Sequence, residues 1–234
     1  LASKYMRLAK WDKAIEWLKD IPVNYYNNNR SRGYLYYSGR RSHEVEPWSR
    51  RQWLKEDEAW EANMKWWKPL KLDFCREMQQ MEAGLRLVRG KALEQQCYNL
   101  AIRYAQANFK GDCWWLMRDS KSVNDEVRAN EVDLGQKAVK LLQQAAMTSD
   151  PSLKRKALFA LGYRELYNDD ANLLWRTWQW DSEAGKYQTI YNATAPQYRA
   201  YQSLYELTGS SAQEEYIRRC DEYDQFCSYY RQNK

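Results

Sequence analysis

Residues 1–22, LASKYMRLAKWDKAIEWLKDIP, decide the fold class. Leu1, Ala2 and Tyr5 fall on one helical stripe, Ala14, Leu18 and Ile21 fall on another, and the segment AKWDK separates the two. Apolar residues at spacings of three and four line one face of a helix, and so short a link turns the second helix back along the first. The stretch predicts a helical hairpin whose small residues let the two axes approach closely.

Working outward, the same outline recurs at Cys97-x2-Leu100-Ala101-x2-Tyr104 in CYNLAIRYAQAN (97–108). Its partner is Ala138-x3-Leu142 with Ala145 in GQKAVKLLQQAAMTSDP (135–151), closed by Asp150-Pro151. A third first helix, KRKALFALGYREL (154–166), carries Phe159-Ala160-x2-Tyr163. Its expected partner helix is DDANLLWRTWQW (169–180), with Asp169 and Asp170 suited to an N-cap. A final helical pair over 195–230 is broken at TGSS (208–211), a Gly stop followed by a Ser cap.

These outlines resemble the tetratricopeptide repeat, W-x2-L-G-x2-Y followed by A-x3-F and P. Nine residues run from Tyr5 to Ala14, as in that family, and Cys97 stands where the family prefers Trp. The resemblance implies an all-α fold of stacked antiparallel helix pairs, an α-solenoid with irregular insertions. On this reading residues 1–234 form one helical-repeat domain. It comprises a partial repeat (1–22), an insertion holding a Trp-rich helix (23–90), a repeat with a long inserted loop (91–147, loop 108–132), a helix pair (151–182) and a C-terminal helix pair (195–230). Leu1 opens the chain inside the first helix of the outline, so the front of that helix is expected upstream. The family's use of its concave face implies a non-enzymatic scaffold that holds a peptide or partner protein. The chain is also similar to helical-repeat proteins of bacterial envelopes, which implies a place in the periplasm or on the outer surface.

The inserted loop opens with NFKGDCWWLMRDSKSVND (108–125). Helical connections usually take 2 to 8 residues, and a loop as long as 108–132 is usually functional or disordered. CWWLM is too apolar for disorder. Adjacent side chains point about 100° apart on a helix and to opposite faces on a strand, so Trp114 and Trp115 are not both expected in one core. Either they cap the array, or Trp114, Trp115 and Arg118 line a ligand surface with a polar rim. Between the first two repeat outlines, Trp53, Trp60 and Trp67 lie seven apart with Met64 on the same face, one stripe of a helix bounded by Pro47 and Pro69.

Composition narrows the remaining classes. The net charge is +6, and residues 30–55 carry seven basic residues against Glu44 and Glu46. Arg30, Arg32, Arg40, Arg41, Arg50 and Arg51 are therefore the candidate patch for an anionic partner. Tyr34, Tyr36 and Tyr37 among them supply stacking rings, but no RNA-binding motif accompanies them, so a nucleic acid is not favoured. With 12 Trp and 19 Tyr, carbohydrate is the second ligand class, since flat rings stack on sugar faces. Exposed tryptophans would favour that reading and buried ones the plain scaffold.

His43 is the only histidine, no C-x2-C pair accompanies it, and neither a zinc site nor a Ser-His-Asp set is expected, so the chain is read without a cofactor. No Gly-rich phosphate loop is present. Acid pairs such as Asp169/Asp170 and Asp125/Glu126 leave an all-α glycosidase as a weaker alternative, decided by carboxylate separation. The five cysteines fit no disulfide framework, and no apolar run reaches the roughly 18 residues of a transmembrane helix.

Overall fold

The computed structural model describes residues 1–22, 43, 44, 46–48, 70–118, 130–208, 217 and 220–234. The fold is mainly α, with one small antiparallel sheet among the described residues. Its helices are α1 (Ala2–Arg7), α2 (Trp11–Leu18), α3 (Leu70–Gly84), α4 (Gly90–Ala107), α5 (Leu134–Ala146), α6 (Pro151–Leu161), α7 (Pro196–Thr208) and α8 (Asp221–Asn233). Strands β1 (Arg176–Asp181) and β2 (Lys186–Tyr191) lie between α6 and α7. Each described helix packs against the next described one in chain order. No described helix is long and apolar enough to cross a membrane.

Helix starts follow local chemistry. The Asp133 carboxylate accepts from Gln136 N at 2.9 Å, and that of Asp150 from Ser152 N and Leu153 N at 2.8 and 3.2 Å, with Pro151 in the first helical turn. Small residues then sit where helices meet: Ala14, Ala101, Ala138, Ala145, Ala157 and Ala160 are all fully buried. At Gly162 a Cβ would stand 1.9 Å from the Tyr201 ring, so only glycine lets α7 approach the end of α6.

Two polar knots cross-link the helices. Trp11 Nε1 donates to Glu82 at 2.8 Å, the Tyr104 hydroxyl donates to the same carboxylate, and Lys137 Nζ lies 3.7 Å from it, so α2, α3, α4 and α5 converge on one acid. At the other end of α4, buried Asn108 donates to the Glu165 carbonyl at 2.8 Å and accepts from Gly135 N at 3.0 Å. That amide fixes the start of the insertion to the start of α5 and to the 3-10 turn Arg164–Tyr167. The five cysteines form no disulfide with one another.

The expected helix pair over 151–182 needs correction. Helix α6 is present, but its partner is replaced by the 3-10 turn and by the β1–β2 hairpin. RTWQWD and KYQTIY are rich in aromatic and β-branched residues, which suits an extended chain. The turn is set by the Asp181 carboxylate, which accepts from Glu183 N and Ala184 N at 2.9 and 3.0 Å, and by Gly185 at φ 60°. Asp170 caps a turn, accepting from Asn172 N at 2.9 Å, and starts no helix. The C-terminal pair consists of α7 and α8, and most of the link between them lies outside the described residues. The Trp53, Trp60 and Trp67 stripe also lies outside them.

Candidate functional site

The hairpin is anchored at its root and exposed beyond it. Trp175, just before β1, is 1% exposed and packs edge-on against Phe226, with ring centroids 5.4 Å apart. Its backbone N–H donates to Gln197 Oε1 at 3.0 Å, while Gln197 Nε2 donates to the Gly162 carbonyl at 2.8 Å. Gln197 is itself fully buried, so the root of the hairpin is tied to the end of α6 by a side chain of α7. Tyr191, the last residue of β2, stacks on Tyr229 of α8 at 4.3 Å.

Pairing alternation then sorts the side chains. Asn192 N donates to the Trp175 carbonyl at 2.8 Å, which makes 175 and 192 a hydrogen-bonded pair. The next pairs, Arg176 with Tyr191, Trp178 with Thr189 and Trp180 with Tyr187, follow as the alternating set. The last two are non-hydrogen-bonded pairs, whose side chains stand closest. All six residues therefore share one face. Trp180 meets Tyr187 edge to face at 5.1 Å. Trp178 lies beside two guanidinium groups, Arg176 at 5.0 Å and Arg164 at 5.5 Å from its ring centroid. Arg164 is held by Asp169 at 3.3 Å, and Lys110 pairs with the same acid at 2.9 Å. Burial would raise the pKa of Asp169, but the two cations outweigh that and lower it.

Trp178, Trp180, Tyr187 and Tyr191 remain 52%, 55%, 68% and 47% exposed, although their root is as buried as any core residue. Exposed aromatic area on a rigid base is what a recognition surface requires, because little ordering remains to oppose binding. Sequence reading missed this surface. The available signal was the period-two spacing of Trp178 and Trp180, facing YQTIY across an Asp- and Gly-containing turn.

The adjacent tryptophans of the insertion divide as their geometry requires. Trp115 is buried in the core, and Trp114 is half-buried against it. Trp114 lines a recess with Arg7, Phe109, Met117, Arg118 and Val132 whose interior is about 20 Å³, room for one water, where small-molecule sites need several hundred. Arg118 pairs with Glu131 and lies over the Phe109 ring at 4.9 Å. Glu131 also holds Arg7 at 3.0 Å, and Val132 N donates to the Arg7 carbonyl at 2.9 Å. These contacts fasten α1 to the end of the insertion. Arg30, Arg32, Arg40, Arg41, Arg50 and Arg51 lie outside the described residues, as do Asp125 and Glu126.

His43, with no role in the sequence reading, is docked. Its Nε2 lies 2.7 Å from Glu77 Oε2, and its ring meets Phe74 edge to face at 5.1 Å. Arg103 donates to the other Glu77 oxygen at 2.8 Å, and the Glu44 carboxylate lies within 4.8 Å of the pair. A few residues on, Trp48 Nε1 donates to the Tyr98 hydroxyl at 3.0 Å, which donates to Glu46. Burial alone would raise the pKa of Glu77, but the hydrogen bond and charge of His43, with Arg103, reverse that and lower it. A lowered carboxylate pKa stabilises the fold above its ordinary value of 4.5 and loses that contribution as pH falls below it. Glu77→Gln is therefore expected to flatten the acid limb of the melting-temperature profile below that value. An unchanged limb would show that this pair does not hold the segment.

No family model, curated protein or solved structure matches the chain.

Proposed function

We propose that this protein is a non-enzymatic binding and scaffolding module, a tetratricopeptide-like array of helix pairs whose contact surface includes the aromatic face of the β1–β2 hairpin. Two features support the array: helices that pack in chain order, and fully buried alanines at the small positions of the repeat outline. One observation carries the contact surface. Trp178, Trp180 and Tyr187 project into solvent from a root fixed by Trp175 and Gln197. Together with Arg164 and Arg176 they form the Trp, Tyr and Arg set that dominates protein interfaces, so a protein or peptide is the first ligand class. Carbohydrate is the second, and the exposure of Trp178 and Trp180 favours it over a scaffold with every ring buried.

The test is the double variant Trp178→Ala, Trp180→Ala. Both rings are half-exposed, so melting should shift little, whereas loss of anchors should weaken binding by at least about 2 kcal/mol, roughly 30-fold. Peptide display selections and a soluble-polysaccharide panel read by tryptophan fluorescence would supply the ligands. A variant that binds every recovered ligand as tightly as the wild type does would remove the hairpin from the reading.

A further inference from the structure

The two edges of the hairpin differ. The outer edge of β1 is occupied at its root, where Arg164 donates to the Arg176 carbonyl at 3.3 Å and the Arg176 side chain reaches Gln225. Along β2 all six residues are exposed, and apart from the stacking of Tyr191 on Tyr229 at its end, β1 is the element that packs along it among the described residues. The pairing alternation turns the backbone N–H and C=O groups of Tyr187 and Thr189, and by extension Tyr191, away from β1. Exposed edges in natural sheets are blunted by proline, by bulges, by inward charges or by a covering element. KYQTIY has no proline, its register with β1 is unbroken over six pairs, and its single charge, Lys186, stands at one end.

We infer that β2 pairs edge to edge with β2 of a second copy of this chain, antiparallel about a two-fold axis at Thr189. This rests on the hairpin being a contact surface and assigns its edge a partner. Only a register centred on Thr189 satisfies all three outward-facing residues. Tyr187 pairs with Tyr191 of the other copy, Thr189 with its own symmetry mate, and Tyr191 with Tyr187. Aromatic pairs and Thr–Thr pairs are both favourable across strands. The charges agree. The register sets Lys186 opposite Asn192 of the other copy and keeps the two lysines roughly 20 Å apart at about 3.4 Å per residue, so no like charges face each other. The result is a four-stranded sheet, β1-β2-β2-β1, with the aromatic faces of both copies continuous. The contact is isologous and closed, hence a dimer and not a fibre. Two six-residue edges bury less than the roughly 800 Å² per partner of a stable interface, so the dimer should be reversible and should follow concentration.

Sedimentation velocity over a micromolar to submillimolar series tests this. The wild-type chain should move from monomer to dimer, and in hydrogen exchange the amides of Tyr187, Thr189 and Tyr191 should slow with the same concentration dependence. Thr189 lies on the axis, so Thr189→Lys puts two ammonium groups face to face and should hold the chain monomeric throughout, as should Thr189→Glu. An equimolar mixture of these two variants should recover the dimer. The Trp178→Ala, Trp180→Ala variant changes only β1 and should still dimerise, which separates failure of this pairing from failure of the ligand reading. A wild-type chain that stays monomeric, a Thr189→Lys variant that dimerises as the wild type does, or a mixture that stays monomeric would each overturn the proposal.

Discussion

Ala138→Asp is expected to cost about 4 kcal/mol or more, the price of an unpaired charge in a core. Ala138 is fully buried on α5, the helix packed between α4 and α6, and Leu142 and Ala145 on the same face are also fully buried. A carboxylate there is shut off from water. Domains are stable by only about 5–15 kcal/mol, so the variant would lose a large part of its stability. At this chain length each kcal/mol moves the melting temperature by about 2–4 °C, which predicts a fall on the order of 10 °C. Thermal unfolding followed by circular dichroism would read it. A shift smaller than about 2 °C, at most about 1 kcal/mol, would mean that α5 does not present this face to its neighbours.

Gln197→Leu should cost about 2–4 kcal/mol and should also release the hairpin. Leucine fills similar space but orphans the buried Trp175 N–H, at about 1–3 kcal/mol, and removes one of the donors to the Gly162 carbonyl, a hydrogen bond worth about 0.5–1.5 kcal/mol. Tyr201 still donates to that carbonyl at 2.9 Å, so α6 and α7 remain joined and the loss is concentrated at Trp175. Two readouts apply. Urea unfolding should show the stability deficit, and hydrogen exchange should show faster opening at Trp175 and Asn192 than in α4 or α5. Uniform loss of protection would mean that the hairpin is not separately tethered through this amide.

Helical periodicity was legible where partners lie close in sequence, but capping was not, since Asp133 and Asp150 cap helices whereas Asp170 caps a turn where a helix start was expected. Leu1-Ala2-x2-Tyr5 with Ala14-x3-Leu18 marks two helices joined by a short link. Mainly helical character follows from that periodicity. The long insertion after Ala107 was equally visible, because α4 ends and α5 begins where the apolar pattern stops and resumes.

What the sequence alone determined, then, is mainly helical character, the helix pair of α1 and α2, and the rule that Trp114 and Trp115 could not both enter one core. Tertiary structure decided which of them did, because Trp115 is buried only where the insertion folds back over its neighbours. It also decided the hairpin. NLLWRTWQW holds apolar residues at spacings that serve a helix or a strand, and the choice rests on Trp175 reaching Phe226 and Gln197, 51 and 22 positions away. His43 likewise gained its place from Glu77, 34 residues on. The physical reason is the same in each case. Backbone preference differs by at most about 1 kcal/mol per residue between helix and strand, whereas burying one large aromatic side chain contributes about 1.5–3 kcal/mol, and that burial depends on surfaces distant in the chain.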